Sequence, residues 1–116
     1  MEAILLIFTE PIRKNFQFKY IYDHGKSLAN KYLVVFVIKN NLLKNRLGIC
    51  VSKKIGKSHV RSRITRLIKE NYRLNEKLFC TGFDIIFMAR KNIIDLDFYQ
   101  IKKSMLSLSR KHKIIL

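Results

Sequence analysis

Residues 52–73 combine dense positive charge with apolar residues at helical spacing, and this combination limits how the chain can fold. Eight of these 22 residues are Lys or Arg, and only one, Glu70, is acidic. The apolar residues of a helix predicted over about 58–74 group on one face, at Val60, Ile64, Leu67, Ile68 and Leu74. Such a helix has to pack on another element, which fixes its basic face. A fixed array of cations suits a polyanion, so nucleic acid is the first partner class to consider.

The chain as a whole is strongly basic. It has 116 residues, of which 24 are Lys or Arg and eight are Asp or Glu, giving a net charge of +16. Like charges repel each other in a compact fold, and an anionic partner offsets that repulsion. Nucleic acid and an anionic membrane surface both fit the charge. We predict one domain over residues 1–116, because this length supports one core.

The sequence does not favour a membrane span, a secreted protein or a metal site. The apolar run 3–8 is far shorter than the roughly 20 residues that cross a bilayer, and we predict a strand or packed arm there. Cys50 and Cys80 are predicted to be reduced, buried thiols of a soluble cytoplasmic protein. Cys and His residues are not clustered as a zinc site requires.

The N-terminal part of the chain has the signals of a helix. Pro11 suits a first helical turn, Thr9 can cap it, and Gly25 ends the pattern after His24. We therefore predict a helix from Pro11 to His24.

Three segments have the composition of strands. They are residues 31–39, 46–52 and 83–89, and we predict that the second runs antiparallel to the first. In the first segment both alternating faces are apolar, although a small antiparallel sheet usually exposes one face to water. We therefore expect a helix on one face, and a helix or a stacked ligand on the other.

The last helix is predicted to begin at a cap formed by Asp95 or Asp97. Its expected buried stripe has 3-4-3 spacing, at Phe98, Ile101, Met105 and Leu108. The order of elements predicts an α+β fold: a two-layer sandwich with one mainly antiparallel sheet and helices packed on it.

The basic stretch provides several groups that bind phosphate. Arg has a planar fork that matches phosphate oxygens, and backbone N–H groups at a helix N-terminus also favour anions. The alternative is a solvated helix face with ion pairs between neighbouring turns, but that needs more acidic residues than Glu70. The aromatic residues Phe18, Tyr22 and Phe36 could line a groove that stacks RNA bases, or they could be ordinary core.

No constellation for protein-based hydrolysis is present in the sequence. Acidic residues are few, and a nucleotide-binding glycine loop, a nucleophile with its base and a paired metal motif are all missing. If the chain takes part in catalysis, the reacting groups belong to another molecule.

The motif from Ser52 to Lys69 resembles the signature of the bacterial ribonuclease P protein subunit. It reads Ser-Lys-Lys-Ile-Gly-Lys-Ser-His-Val-Arg-Ser-Arg-Ile-Thr-Arg-Leu-Ile-Lys. Further matches are His24-Gly25, Ala29-Asn30 and Ala89-Arg90-Lys91, and the resemblance covers about residues 12–112. Two positions differ from the family pattern: Ser62 stands where the family has Asn, and Thr65 stands where it usually has Lys.

The resemblance implies a fold and a function. The fold would be of the kind named after the second domain of ribosomal protein S5, with a left-handed βαβ crossover, which is opposite to the usual hand. The protein would be the small subunit of a ribonucleoprotein endoribonuclease that removes the 5′ leader from precursor tRNA. A catalytic RNA would carry the Mg²⁺ ions and activate the attacking water. The expected partners are this RNA and precursor tRNA, with neither membrane nor DNA.

The resemblance also implies two groups of site residues. The group expected to bind the RNA subunit is Lys53, Lys54, Lys57, Arg61, Ser62, Arg63, Arg66, Lys69 and Arg73. The group expected to line the cleft for the single-stranded leader is Phe18, Tyr22, Val34, Phe36 and Cys50.

Two other functions explain part of the sequence. A ribosomal or other structural RNA-binding protein would explain the charge and the aromatic residues, but not the length of the matching motif. A helix-turn-helix DNA binder would place the basic helix among helices, whereas here it lies between the predicted strands 31–39 and 83–89.

Overall fold

The structure is a computed structural model that describes residues 6–116. Its strands are β1 (Thr9–Pro11), β2 (Lys26–Ala29), β3 (Leu33–Lys39), β4 (Asn45–Cys50) and β5 (Phe83–Ala89). Its helices are α1 (Asn15–His24), α2 (Ser58–Asn75) and α3 (Phe98–Lys111). Short 3₁₀ turns cover Lys53–Ile55, Glu76–Leu78 and Lys91–Asp95.

The five strands form one sheet in the order β1-β4-β5-β3-β2. β1 and β5 both pair with β4 in parallel, whereas β3 pairs antiparallel with β5 and with β2. The α+β class is confirmed, but the sheet is evenly mixed rather than mainly antiparallel. The reason is that α2 carries the chain back along the sheet, so β5 enters parallel to β4. The handedness of this crossover stays a prediction.

Both faces of β3 are covered, as its apolar pattern predicts. Leu33, Val35 and Val37 are buried in the main core beneath α2 and α3. On the opposite face, Phe36 and Ile38 are half-buried against a smaller cluster that α1 covers. β4 runs opposite to β3, as expected, but β5 lies between them. A helix thus covers each face of the strand.

The helix predicted from Pro11 begins later, and that prediction is wrong for residues 11–14. Thr9–Pro11 form the edge strand β1, and α1 starts at Asn15. Proline is tolerated in an edge strand because its missing N–H is not needed by a neighbour. The next residue, Ile12, donates its N–H to the Leu47 carbonyl at 2.9 Å, which continues the pairing with β4.

The apolar N-terminal run is only partly within the described residues, because positions 3–5 lie outside them. Leu6 packs against the main core, while the Ile7 side chain is 71% exposed. The N–H groups of Ile7 and Phe8 donate to the carboxylate of Glu76, at 2.7 and 3.2 Å. Glu76 is itself buried, so it ties this segment to the end of α2.

α3 begins at Asp97, one of the two predicted caps. The Asp97 carboxylate accepts from the Gln100 N–H at 2.8 Å, and the Gln100 side chain accepts from the Asp97 N–H at 2.9 Å. Asp95 instead ends the preceding 3₁₀ turn. The predicted buried stripe is confirmed at Ile101, Met105 and Leu108, whereas Phe98 is half-buried.

Both cysteines are free thiols, as predicted. The expectation that they are buried is wrong, because Cys50 and Cys80 are each only half-buried. No helix within residues 6–116 is long and apolar enough to cross a membrane.

Candidate nucleic-acid interface

The helix α2 has one buried face and one exposed basic face. Ile64, Ile68 and Tyr72 are fully buried under it. Leu74, which the sequence placed on this face, is 56% exposed, and Tyr72 takes the inward position. Tyr72 lies four residues after Ile68 and eight after Ile64, so helical spacing alone could have identified it.

Most of the nine predicted RNA-binding residues are on the surface. Arg61 and Arg73 are half-buried, and the exposed members are Lys53, Lys54, Lys57, Ser62, Arg63, Arg66 and Lys69. Thr65 is half-buried, and its hydroxyl donates to the Arg61 carbonyl at 2.9 Å, so it faces its own helix backbone. Ser62 therefore belongs to the exposed basic face and Thr65 does not.

The cations of α2 are largely without acidic partners. The one ion pair on this helix in the described part of the chain joins Arg73 to Glu70. Two guanidinium groups bind backbone carbonyls instead: Arg61 donates to Gly56 and Arg63 donates to Leu96, each at 3.2 Å. Bonds to neutral carbonyls orient these side chains and leave their positive charge uncompensated. The exposed face of α2 is therefore not a solvated surface stabilised by ion pairs.

The turn before α2 adds three cations and a helix N-terminus. Ile55 is buried and anchors the 3₁₀ turn, so the neighbouring Lys53 and Lys54 point outward. Lys57 precedes α2 without capping it by its side chain, and the first helical turn contains no acidic residue. Its unpaired N–H groups and the helix dipole favour an anion at this point.

The smaller core cluster supports an aromatic groove on the other face of the sheet. Cross-strand pairing aligns Phe36 with Ile86 and Gly48, and α1 lies over this row. The Phe18 ring occupies the space above Gly48, because a Cβ atom there would lie 2.7 Å from Phe18 Cε1. Glycine at this position therefore determines how closely α1 approaches the sheet.

The aromatic side chains form a connected group. The ring centroids of Tyr22 and Phe36 are 4.9 Å apart in an edge-to-face arrangement, and those of Phe18 and Tyr22 are 6.3 Å apart. Burial raises the pKa of the Tyr22 hydroxyl, and the neighbouring Cys50 thiol raises it further.

These residues are half-buried, so they serve as core and as surface at once. An open groove of about 540 Å³ is lined by Asn15, Phe18, Lys19, Tyr22, Asp23, Ile49, Cys50 and Val51. Phe36 supports Tyr22 from below, and Val34 lies in the sheet row of Cys50 with Met88 between them. Neither Val34 nor Phe36 lines this groove.

Five groove residues were missed from the sequence: Asn15, Lys19, Asp23, Ile49 and Val51. Asn15 and Lys19 lie on the same helical face as Phe18 and Tyr22, at spacings of three, four and seven residues. That spacing is visible in the sequence, but polar side chains do not indicate a surface for base stacking. Lys19 lies 3.8 Å from Asp23 across an exposed ion pair, which contributes little stability and leaves the ammonium accessible.

The groove and the basic turn meet at the end of β4. Cys50 and Val51 line the groove, and Lys53 and Lys54 follow them directly. A single strand of nucleic acid lying in the groove would place its bases on rings and its phosphates near cations. Within residues 6–116, no three His, Cys, Asp or Glu side chains come together to hold a metal ion.

The chain is similar to known proteins over nearly its whole length. The model of the Ribonuclease P family matches residues 8–113. The ribonuclease P protein component of Alkaliphilus metalliredigens is 47% identical over 104 residues, which cover 90% of this chain and 94% of that protein. The corresponding protein of Thermoanaerobacter sp. is 50% identical over 100 residues, which cover 86% of each.

Solved structures agree with this similarity. The ribonuclease P protein of Staphylococcus aureus superposes with a TM-score of 0.84 at 36% identity, covering 91% of this chain and 97% of that one. The ribonuclease P protein of Thermotoga maritima gives a TM-score of 0.80 at 36% identity, covering 87% and 96%.

Proposed function

The chain belongs to the ribonuclease P protein family, and from this premise we propose that it is the protein component of ribonuclease P. In this role it works with the RNA subunit of a ribonucleoprotein endoribonuclease. The reaction is removal of the 5′ leader from precursor tRNA by hydrolysis of a phosphodiester bond. The products are a tRNA with a 5′-phosphate and a leader with a 3′-hydroxyl.

One observation carries the proposal. The exposed cations of α2 are almost free of acidic partners, and the basic turn before this helix joins them to the aromatic groove at the end of β4. The array on α2 and the preceding turn suits the phosphates of a folded RNA. The groove suits a flexible single strand, whose bases can stack on exposed ring faces. The array accordingly binds the RNA subunit, and the groove binds the leader.

The Mg²⁺ ions of the reaction belong to the RNA and the substrate in this proposal. The described residues do not supply a cluster of ligands for such an ion. The contribution of the chain is to bind two RNA molecules in a fixed relative orientation and to offset part of their negative charge. A cation array of this kind lowers the amount of free Mg²⁺ that the complex needs.

Reconstitution tests the function. The RNA subunit and precursor tRNA are incubated at low Mg²⁺, with and without the protein, and release of the leader is measured. We expect cleavage only when the protein is present. Equal cleavage in both reactions, with an RNA subunit that is active at high Mg²⁺, would contradict the proposal.

The assignment of the groove has its own test. Phe18→Leu should weaken binding of precursor tRNA to the holoenzyme by about tenfold, with little effect on mature tRNA, because a stacked base contributes 1–3 kcal/mol. Phe16→Leu is the matched control, since Phe16 is on the same helix but is 67% exposed and does not line the groove. Equal losses for both tRNAs would place the leader elsewhere.

A further inference from the structure

A second pocket lies on the side of α3, away from the aromatic groove. It has a volume of about 310 Å³, and its polar and aromatic lining consists of Asn30, Tyr32, Gln100, Lys103, Ser104 and Ser107. Among residues 6–116, no acidic residue lines it. The lining offers a ring for stacking, amide and hydroxyl groups for hydrogen bonds, and an ammonium group. A nucleotide is recognised by this set of groups.

The pocket is held by a network of hydrogen bonds around Asn30. The Asn30 side-chain oxygen accepts from the N–H groups of Tyr32 and Leu33, at 2.8 and 2.9 Å. Its amide nitrogen donates to the Ser104 hydroxyl at 2.7 Å, which joins the loop to α3. The backbone of Tyr32 is therefore held at one wall before any ligand arrives, so the loop that carries its ring is preformed.

Cations surround the opening. The Lys31 ammonium lies over the Tyr32 ring, 5.2 Å from its centroid. Arg90 donates to the Asn30 carbonyl at 3.0 Å and keeps its charge at the exposed edge of the loop. Lys103 is exposed and lines the pocket directly. These three charges have no ion-pair partner among residues 6–116, so a phosphate can approach them without displacing a carboxylate.

One hydrogen bond links the pocket to the basic helix. Leu96 completes its lining, and the Leu96 carbonyl accepts the hydrogen bond from Arg63 of α2. An RNA strand lying along α2 and passing Arg63 thus reaches the rim of the pocket at Leu96, which the exposed residues Asp95 and Asp97 flank. This places the pocket beside the RNA subunit and away from the leader groove.

We propose that this pocket binds one unpaired nucleotide of the RNA subunit, with the base stacked on Tyr32 and the phosphate near Lys103 and Arg90. The proposal rests on the function proposed above, because it takes the RNA on α2 as its ligand. It adds an anchor to the basic face of α2, since the base is held by shape and stacking and not by charge alone.

Equilibrium binding of the full-length protein to the RNA subunit tests this anchor. Tyr32→Leu should weaken binding by about tenfold with an unchanged salt slope, because stacking releases no counterions. Tyr32→Phe keeps the ring and should bind like the parent protein. Tyr99→Leu is the matched control, because Tyr99 is a 73% exposed residue of α3 that does not line the pocket.

Lys103→Ala gives a second, independent measurement. It should make the slope of log affinity against log salt shallower by about 0.7–0.9, the contribution of one phosphate contact. Lys77→Ala is its control, an exposed lysine that does not line the pocket. If Tyr32→Leu lowers the melting temperature enough to unfold the protein, the salt slope of Lys103→Ala decides.

Four results would overturn the proposal. Tyr32→Leu could bind like Tyr99→Leu, Tyr32→Phe could lose as much affinity as Tyr32→Leu, or Lys103→Ala could keep the parent slope. Loss of cleavage by Tyr32→Leu with unchanged affinity for the RNA subunit would show that the pocket does not anchor that RNA. If the parent protein itself does not bind the RNA subunit, the proposed function fails, and this inference fails with it.

Discussion

Gly48 shows how one missing side chain determines the shape of the aromatic groove. The space that its Cβ would occupy is filled by Phe18 on one side and by Ile12 Cδ1, 3.3 Å away, on another. The groove wall therefore depends on a residue that is itself buried in the sheet and cannot touch a ligand.

Gly48→Ala should destabilise the protein by about 1–3 kcal/mol, because the new methyl group overlaps the Phe18 ring and forces it outward. Urea denaturation measures this loss. In the double variant Phe18→Leu with Gly48→Ala the overlap is relieved, so the cost of the alanine should shrink. A cost that stays the same in both backgrounds would mean that the ring and the methyl group do not meet.

His112 makes stability depend on pH. Burial lowers its pKa below the ordinary value of 6.5 and nearby Lys26 lowers it further, against an opposing contribution from its bond to the Val35 carbonyl. The unfolded chain therefore binds this proton more tightly than the folded one. The free energy of unfolding should fall as the pH drops below about 6.5 towards the folded pKa.

His112→Gln removes the titrating ring and keeps a donor for the Val35 carbonyl, which His112 Nε2 approaches at 2.7 Å. Melting temperatures of the two proteins between pH 7 and pH 5 give the comparison. The parent protein should lose more stability than the variant on acidification. If the melting temperature of the parent protein changes less with pH than that of the variant, the lowered pKa of His112 is contradicted.

At the scale of elements, the cap of α3 resolves a choice that the sequence left open. Asp97→Ala should cost about 1 kcal/mol, because the N–H of Gln100 loses its acceptor at the first turn. Asp95→Ala is the control, since Asp95 is exposed and forms no such cap. Thermal unfolding of both variants measures the difference. A larger loss of stability in Asp95→Ala would mean that Asp95, and not Asp97, caps the helix.

Elements with strong local patterns could be predicted from the sequence. The bounds of β5 match the predicted strand 83–89, and α2 ends one residue beyond the predicted helix. Both are long segments whose own residues alternate or repeat clearly. The exposed array on α2 could be predicted for the same reason.

Elements that depend on distant contacts could not be predicted. β1 exists because Asn45 donates to the Phe8 carbonyl and because Glu76 holds Ile7 and Phe8, and these contacts join residues far apart in the chain. β2 is a short edge strand with the polar sequence Lys-Ser-Leu-Ala, which has no strand signature of its own. The position of β5 between β3 and β4 depends on the crossover through α2.

The groove, too, has parts that could be predicted from the sequence and parts that could not. The aromatic residues of α1 could be found by their spacing, but their partner Gly48 has no side chain to suggest a role. The pocket at Tyr32 was not predicted because its walls come from a loop and from α3, about 70 residues apart. Juxtaposition of that kind is a property of tertiary structure.

At the scale of the whole molecule, charge determines how the protein responds to salt. The eight cations of residues 52–73 are a third of the 24 basic residues, so most of the positive charge lies outside the array on α2. The molecule measures 36 × 30 × 27 Å. At about 0.01 M salt the Debye length is about 30 Å, so every cation then contributes to RNA attraction. At about 0.15 M it is about 8 Å, and contact residues dominate.

Arg66→Ala should therefore weaken binding to the RNA subunit near physiological salt and make the salt slope shallower by about 0.7–0.9. Arg66 is an exposed residue of α2. Lys39→Ala removes the same charge at an exposed site at the end of β3, and it should change the slope less. Equal slopes for the two variants would mean that α2 has no special place in the interface.

The position of β5 has a consequence for the order in which a growing chain can fold. β5 is the central strand of the sheet, yet it is the last of the five along the chain. While residues 83–89 are still inside the ribosome, β1 with β4 and β2 with β3 are separate two-stranded pieces without a common neighbour. Such pieces are at best marginally stable in water. The nascent chain thus exposes its cations before it has a core, and the groove and the basic helix acquire their final geometry in the same late step.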